Sequence, residues 1–265
     1  MRLDEVHIVI RPRNLLECLD LSIRVWGRHF PGLAIATIIG VGPMVATQLW
    51  LLEIYAEDSG IPFLLLGMVG VPWVTMPILI YLGQITFSRR FSLRQAIRTA
   101  MGAFPCFFVY QGIMRFICIF VVVLSPMIFI GMYYLAPIVL LERTTFNRVW
   151  VRRSAMNSRN TGRIISFLVT DVIVMFAGTY CLGNFLRGLF SLWTGHFEPR
   201  QFLGEGTVTT ESIKWEYLLA FWLVMSFLAV FRFITYLDCR IRREGWDVEL
   251  KLRAEAAHFP NREVD

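Results

Sequence analysis

Three charged residues, Arg115, Asp171 and Arg232, stand inside long apolar stretches of the chain. A charge at the centre of a membrane-crossing helix costs about 2.5–3.5 kcal/mol on insertion scales, so such residues mark either a pair or a function. Counted from the basic end of each stretch at about 1.5 Å per residue, Asp171 lies roughly 10 Å deep, Arg232 roughly 9 Å and Arg115 roughly 15 Å. Asp171 and Arg232 are level on consecutive antiparallel stretches, which predicts an ion pair. Arg115 either reaches toward that pair or snorkels to an edge. Three readings follow: a buried pair that locks a helical bundle, an anion site whose surplus positive charge receives a lipid phosphate or other acidic headgroup, or a proton or ion relay.

Other chemistry has little to build on. The five cysteines, Cys18, Cys106, Cys118, Cys181 and Cys239, form no CxxC pair, and neither a disulfide framework nor a zinc site is expected. The four histidines are scattered singly without HExxH spacing. Paired carboxylates and a Ser-His-Asp set cannot be assembled either. No catalytic residue, no metal and no cofactor are expected, and the chain reads as a non-enzyme.

The elements that carry the three charges are set by composition. Of 265 residues, 56% are hydrophobic and 14% aromatic, with 22 Phe and 8 Trp, above the apolar share of soluble domains. About 20 apolar residues cross a hydrocarbon core, and six candidate spans appear at approximately 30–52, 62–87, 105–125, 126–142, 164–188 and 215–237. Ser125-Pro126 divides the third from the fourth, because proline removes a backbone donor and clashes with the preceding turn. Most of the 26 Lys and Arg residues fall on one side of this arrangement, while the other keeps Arg200 and Lys214. That asymmetry puts both termini in the cytoplasm. The net charge of +6 follows membrane topology rather than a clustered nucleic-acid surface, so no nucleic acid is expected. The short apolar run Val6 to Ile10 is no cleavable leader.

The expected fold is therefore all-α: a polytopic bundle of six spans in one domain, arranged as three hairpins, each preceded by a cytoplasmic interfacial helix. The interfacial helices are Asn14 to Phe30, with Leu15, Leu19, Ile23, Trp26 and Phe30 on one stripe, then Ser92 to Ala103, then Arg143 to Asn160. Arg24, Phe30 and Pro31 recur as Arg98, Phe104 and Pro105 at identical spacing, a weak sign of duplication. Gly32, Ala36 and Gly40 give span one a small face for close packing. Pro43, Pro72 and Pro77 are read as tolerated kinks rather than the broken helices of a transporter. The outer loop from Ser191 to Ser212 is expected to rest its aromatics among headgroups. A solvated helix over 238–257 carries charges four apart, such as Asp238 and Arg242, as a partner's handle or a solubilising tail.

One family resemblance covers the whole chain. Leu135-Ala-Pro-Ile-Val-Leu-Leu-Glu142, then Arg152-Arg153-Ser154, then Tyr236-Leu-Asp-Cys-Arg240-Ile-Arg242-Arg-Glu244-Gly-Trp-Asp247 resemble the glycerophosphoryl diester phosphodiesterase membrane-domain family, and Arg11-Pro12 before the first interfacial helix fits it too. Cys239 stands where the family more usually has an apolar residue. The resemblance singles out Glu142, Arg153, Ser154, Asp238, Arg240, Arg242 and Glu244. It implies a stand-alone six-helix protein of the bacterial inner membrane without the catalytic barrel, so that no phosphodiesterase activity transfers with it. The leading functional expectation is an anchor, scaffold or regulatory subunit with a protein partner at the cytoplasmic face. The alternative is a transporter or binder of lipid or small anions that uses Arg115, Asp171 and Arg232. Membrane lipid is a partner in either case; the sequence leaves the oligomeric state open.

Overall fold

A computed structural model describes residues 13–54, 60–87, 91–113, 115, 130–142, 146–157, 161–194 and 215–244. Every regular element among them is helical. In chain order they are α1 (Leu15–Arg28), α2 (Phe30–Ile54), α3 (Gly60–Phe87), α4 (Leu93–Phe107), a π-helical segment (Phe108–Ile113), α5 (Leu135–Glu142), α6 (Phe146–Asn157), α7 (Thr161–Thr194) and α8 (Trp215–Glu244). Four stretches are long and apolar enough to cross a membrane: Phe30–Leu51, Gly70–Phe87, Thr161–Thr194 and Trp215–Arg242.

Burial sorts these four into two pairs. The α3 and α8 stretches are each 72% buried, while the α2 stretch is 28% and the α7 stretch 17% buried. Helices α3 and α8 therefore form the centre, packed on each other, with α2 against α3 and α7 against α8. On α7 the residues Ile173, Phe176 and Tyr180 stay more than half exposed. A helix that turns that much apolar surface outward suits an acyl environment rather than water.

Close approach between α2 and α3 has a sequence cause. A Cβ at Gly40 would sit 2.5 Å from the Val74 carbonyl oxygen, and one at Gly32 would run into the Tyr81 ring, while Ala36 between them is buried. The small face anticipated on span one is thus the α2–α3 contact. Helix α1 begins where the Asn14 N–H donates to Glu17 Oε2 at 3.1 Å, a reach-back that satisfies one of the open donors of a helix start. Its inward residues are Cys18 and Ser22, flanked by Leu15, Leu19 and Trp26; Ile23 and Phe30, expected on the same stripe, are exposed.

Three expected boundaries are corrected. The surface helix and the start of span three are one helix, because α4 runs through Pro105 without a break. A proline removes only its own donor, and the Phe108 N–H returns to the carbonyls of Phe104 and Pro105 as the backbone widens into the π segment. Span six and the following surface helix are likewise one, since α8 continues without interruption to Glu244; the charges from Asp238 onward are polar extensions of an already nucleated helix. Span five is also longer than expected, starting at Thr161 and ending at Thr194. Within the expected fourth span, α5 is preceded by a turn at Tyr133 and Tyr134. The junction at Ser125-Pro126, most of the outer loop and the positions from 245 onward lie outside the described residues.

Candidate functional site

The α7–α8 contact keeps one antiparallel register over its whole length. At one end the Phe190 and Trp215 rings meet edge to face at 5.3 Å, and the Tyr217 hydroxyl donates to Asn184 Oδ1 at 2.9 Å. A Cβ at Gly178 would touch Val224. Further along, Arg232 Nε donates to Asp171 Oδ2 at 2.5 Å, so the structure makes the expected pair. The Asp171 side chain is 4% exposed and that of Arg232 25% exposed. A carboxylate so deeply enclosed needs its partner, because an unpaired buried charge costs several kcal/mol.

The pair forms one end of a cavity of about 660 Å³ enclosed by α3, the π segment, α5, α7 and α8. Arg115 lines the same cavity, as do Gln111 and Tyr133, and Arg115 Nε donates to Gln111 Oε1 at 3.2 Å. All three charges foreseen from the sequence therefore face one space. The Arg232 guanidinium lies 5.8 Å above the Tyr133 ring. Three polar atoms of the lining are buried with no partner at hydrogen-bond distance among the described residues: Asp171 Oδ1, the Tyr133 hydroxyl and Thr179 Oγ1. From Arg232 the cavity continues along α8 past Ala229, Met225 and Phe221 to Leu218, about 21 Å at 1.5 Å per residue. Its lining there is almost wholly apolar, and Gln48 of α2, which accepts from Trp222 Nε1 at 2.6 Å, also lines it. The space has a charged head and a long greasy tail.

The residues singled out by the family resemblance gather in two other clusters. Arg152 binds Glu142 through two nitrogens, Nε to Oε2 at 2.6 Å and Nη2 to Oε1 at 3.2 Å, and the Tyr236 hydroxyl donates to Glu142 Oε1 at 2.7 Å. Arg153 Nε donates to the Gly131 carbonyl at 2.6 Å and lies over Trp150. In the second cluster Asp238, fully buried, receives the Arg13 N–H at 2.7 Å, Arg163 Nη2 at 2.7 Å and Arg242 Nε at 3.2 Å. Arg163 and Arg242 both also donate to the Arg13 carbonyl. Ser154 is exposed and Arg240 half-buried; the Glu244 side chain lies outside the described residues.

Cys18 sits beside the second cluster on α1. Burial, followed by the negative charge of Asp238, pushes its thiol up to about 11. It stays protonated and inert at neutral pH, since the thiolate is the reactive form.

Sequence reading missed several of these groups. Arg163 was readable: two helical turns before Asp171 on α7, it falls opposite Asp238 and Arg242, which lie about two turns after Arg232 on α8. Tyr133 and Gln111 gave no signal, because their importance comes from which helices enclose the cavity. Among the described residues no group of three or more His, Cys, Asp or Glu side chains is placed to hold a metal ion. No family model, curated protein or solved structure matches the chain.

Proposed function

We propose that this chain is a multi-pass membrane protein that binds, and by binding presents or moves, an anionic amphiphile in the cavity between α3, α5, α7 and α8. The observation that carries this reading is the cavity's polarity: Arg115, Arg232 and Asp171 at one end, a long apolar channel beyond. Two guanidiniums and one carboxylate gather there, and a low-dielectric wall makes their charge felt strongly. An acidic headgroup meets the guanidiniums while an acyl chain fills the tail, the usual division of a ligand pocket into apolar lining and a few polar anchors.

The wider setting belongs to the same proposal. Six spans in three hairpins, both termini cytoplasmic and a bacterial inner membrane follow from the arginine asymmetry and from the family resemblance. The scaffold reading ranks second, because the charges of the family motif are largely consumed internally: Glu142 on Arg152 and Tyr236, Asp238 on Arg163 and Arg242. An internal network keeps little to offer a docking partner.

Native mass spectrometry of the purified protein, with extraction of bound lipid, tests the proposal. Wild type is expected to retain about one amphiphile per chain. Ala136→Trp, which places an indole in the cavity, should lose it while remaining monodisperse, and Ile173→Trp on the exposed face of α7 should keep it. Retention by Ala136→Trp equal to that of Ile173→Trp would place the lipid on the outer surface and overturn the reading.

A further inference from the structure

The apolar part of the cavity has a definite length. On α8 its lining runs from Arg232 to Leu218, and on α3 from Leu79 to Gly67. These two helices lie side by side and run in the same direction, because a Cβ at Gly67 would lie 3.8 Å from the Phe221 ring and one at Gly70 would run into Trp222. Gly67 and Phe221 therefore stand together at the end opposite Arg232. Among the described residues the lining goes no farther: Glu216 and Tyr217, nearer the start of α8, do not face the space.

Glycine inside a helix is disfavoured relative to alanine, so a buried one calls for a reason. At the buried Gly40 and Gly183 the reason is a neighbour in the space a Cβ would need, the Val74 backbone and the Tyr217 ring. Gly67 is buried too, yet a Cβ there would make only ordinary van der Waals contact with Phe221. Protein packing leaves room for a small side chain at this position, and the room belongs to the cavity. From Arg232 to Leu218 the channel measures about 21 Å at 1.5 Å per residue. An extended chain advances about 1.2 Å per bond, since the three bonds of one extended residue span about 3.3–3.6 Å, so this length takes a tail of about 16–18 carbons. Resting on the amphiphile reading above, we infer that Gly67, facing Phe221, sets the length of acyl chain the cavity accepts, a single extended tail of about 16–18 carbons.

Delipidated full-length protein in detergent, offered an equimolar mixture of n-alkyl phosphates from decyl to docosyl, tests this by native mass spectrometry. All share one headgroup, so retention reports the tail alone. Wild type is expected to retain hexadecyl and octadecyl phosphate best, with docosyl held about tenfold less, because overpacking a filled space is costly. Gly67→Leu places an isobutyl group at the end of the channel. A close-packed space holds either that group or the ligand's last methylenes, so its preference should move to dodecyl and tetradecyl phosphate. Gly67→Ala adds a methyl group that has room, and it should lower octadecyl relative to hexadecyl about fourfold, the worth of one buried methylene. Gly42→Ala, with nothing near its Cβ on α2, should keep the wild-type profile. A flat profile in wild type, or the same preferred length in wild type and Gly67→Leu, overturns the length assignment and leaves the amphiphile reading intact. If the leucine variant does not fold, the alanine variant decides: an unchanged ratio of octadecyl to hexadecyl overturns the assignment equally. Retention of no alkyl phosphate by wild type overturns both readings.

Discussion

Asp20 and Asp238 are both carboxylates paired to an arginine four residues on, yet they carry different weight. Asp20 meets Arg24 at 2.9 Å with both side chains more than half exposed, a pairing worth about 0.2–1 kcal/mol at most. Asp238 is wholly enclosed and holds three donors from separate parts of the chain. Removing it strands two guanidiniums and a backbone N–H, and breaking a buried pair in this way costs about 3–5 kcal/mol. Asp238→Ala is therefore expected to lower the unfolding temperature in detergent by many degrees, whereas Asp20→Ala should stay within a degree or two of wild type. Equal shifts would show that the cluster is better hydrated than its burial indicates. Arg13, Arg163 and Arg242 converge on this one carboxylate, which joins the start of α1 to α7 and α8. Cys18 beside it owes its raised pKa chiefly to the same enclosure.

At the scale of helices, glycines and registers decide which faces meet. Gly40 and Gly42 are neighbours on α2 with opposite surroundings: a Cβ at Gly40 would strike the Val74 backbone, one at Gly42 would meet nothing within 4 Å. Alanine in a helix is favoured over glycine by about 1 kcal/mol, so Gly42→Ala should stabilise the protein slightly. At Gly40 the gain is outweighed by overpacking against a backbone that cannot step aside, typically about 1–3 kcal/mol, and Gly40→Ala should destabilise. Thermal unfolding of the two variants side by side checks the opposite signs. This face was legible in the sequence because small residues at four-residue spacing have few other uses in an apolar helix. The Asp171–Arg232 pair was legible because two charges in apolar helices at matched depth have few other partners. Helix ends were less legible: Pro105 and Asp238 look like breaks, but a helix already packed on both sides absorbs one missing donor or a change from apolar to polar surroundings. The cavity was illegible, since its walls come from α3, α5, α7 and α8 and no spacing within one segment reports an empty space between several.

For the molecule as a whole, the central question is how many times the chain crosses the bilayer. The four long apolar helices alone give an even number of crossings, and so do six spans, so reporters fused at the two termini are expected on the same side under either count. The counts separate at Ser125-Pro126. With six spans, the stretch from α4 and the π segment continues across and returns through α5, placing this junction outside. With four, it dips in and returns on the side it came from. The exposed apolar stripe of α4, Leu93, Ile97, Met101 and Phe104, lies on the segment that leads in and suits a helix settling into the headgroup boundary before descending. Arg115 near the end of that descent, held by Gln111 on the cavity wall, needs the segment to have reached the depth of Asp171. A reporter inserted after Ser125 is therefore expected to read as external, with both terminal reporters internal. An internal signal at Ser125 would make the α4–α5 segment a re-entrant loop, and the charged head of the cavity would then open to the cytoplasm through it.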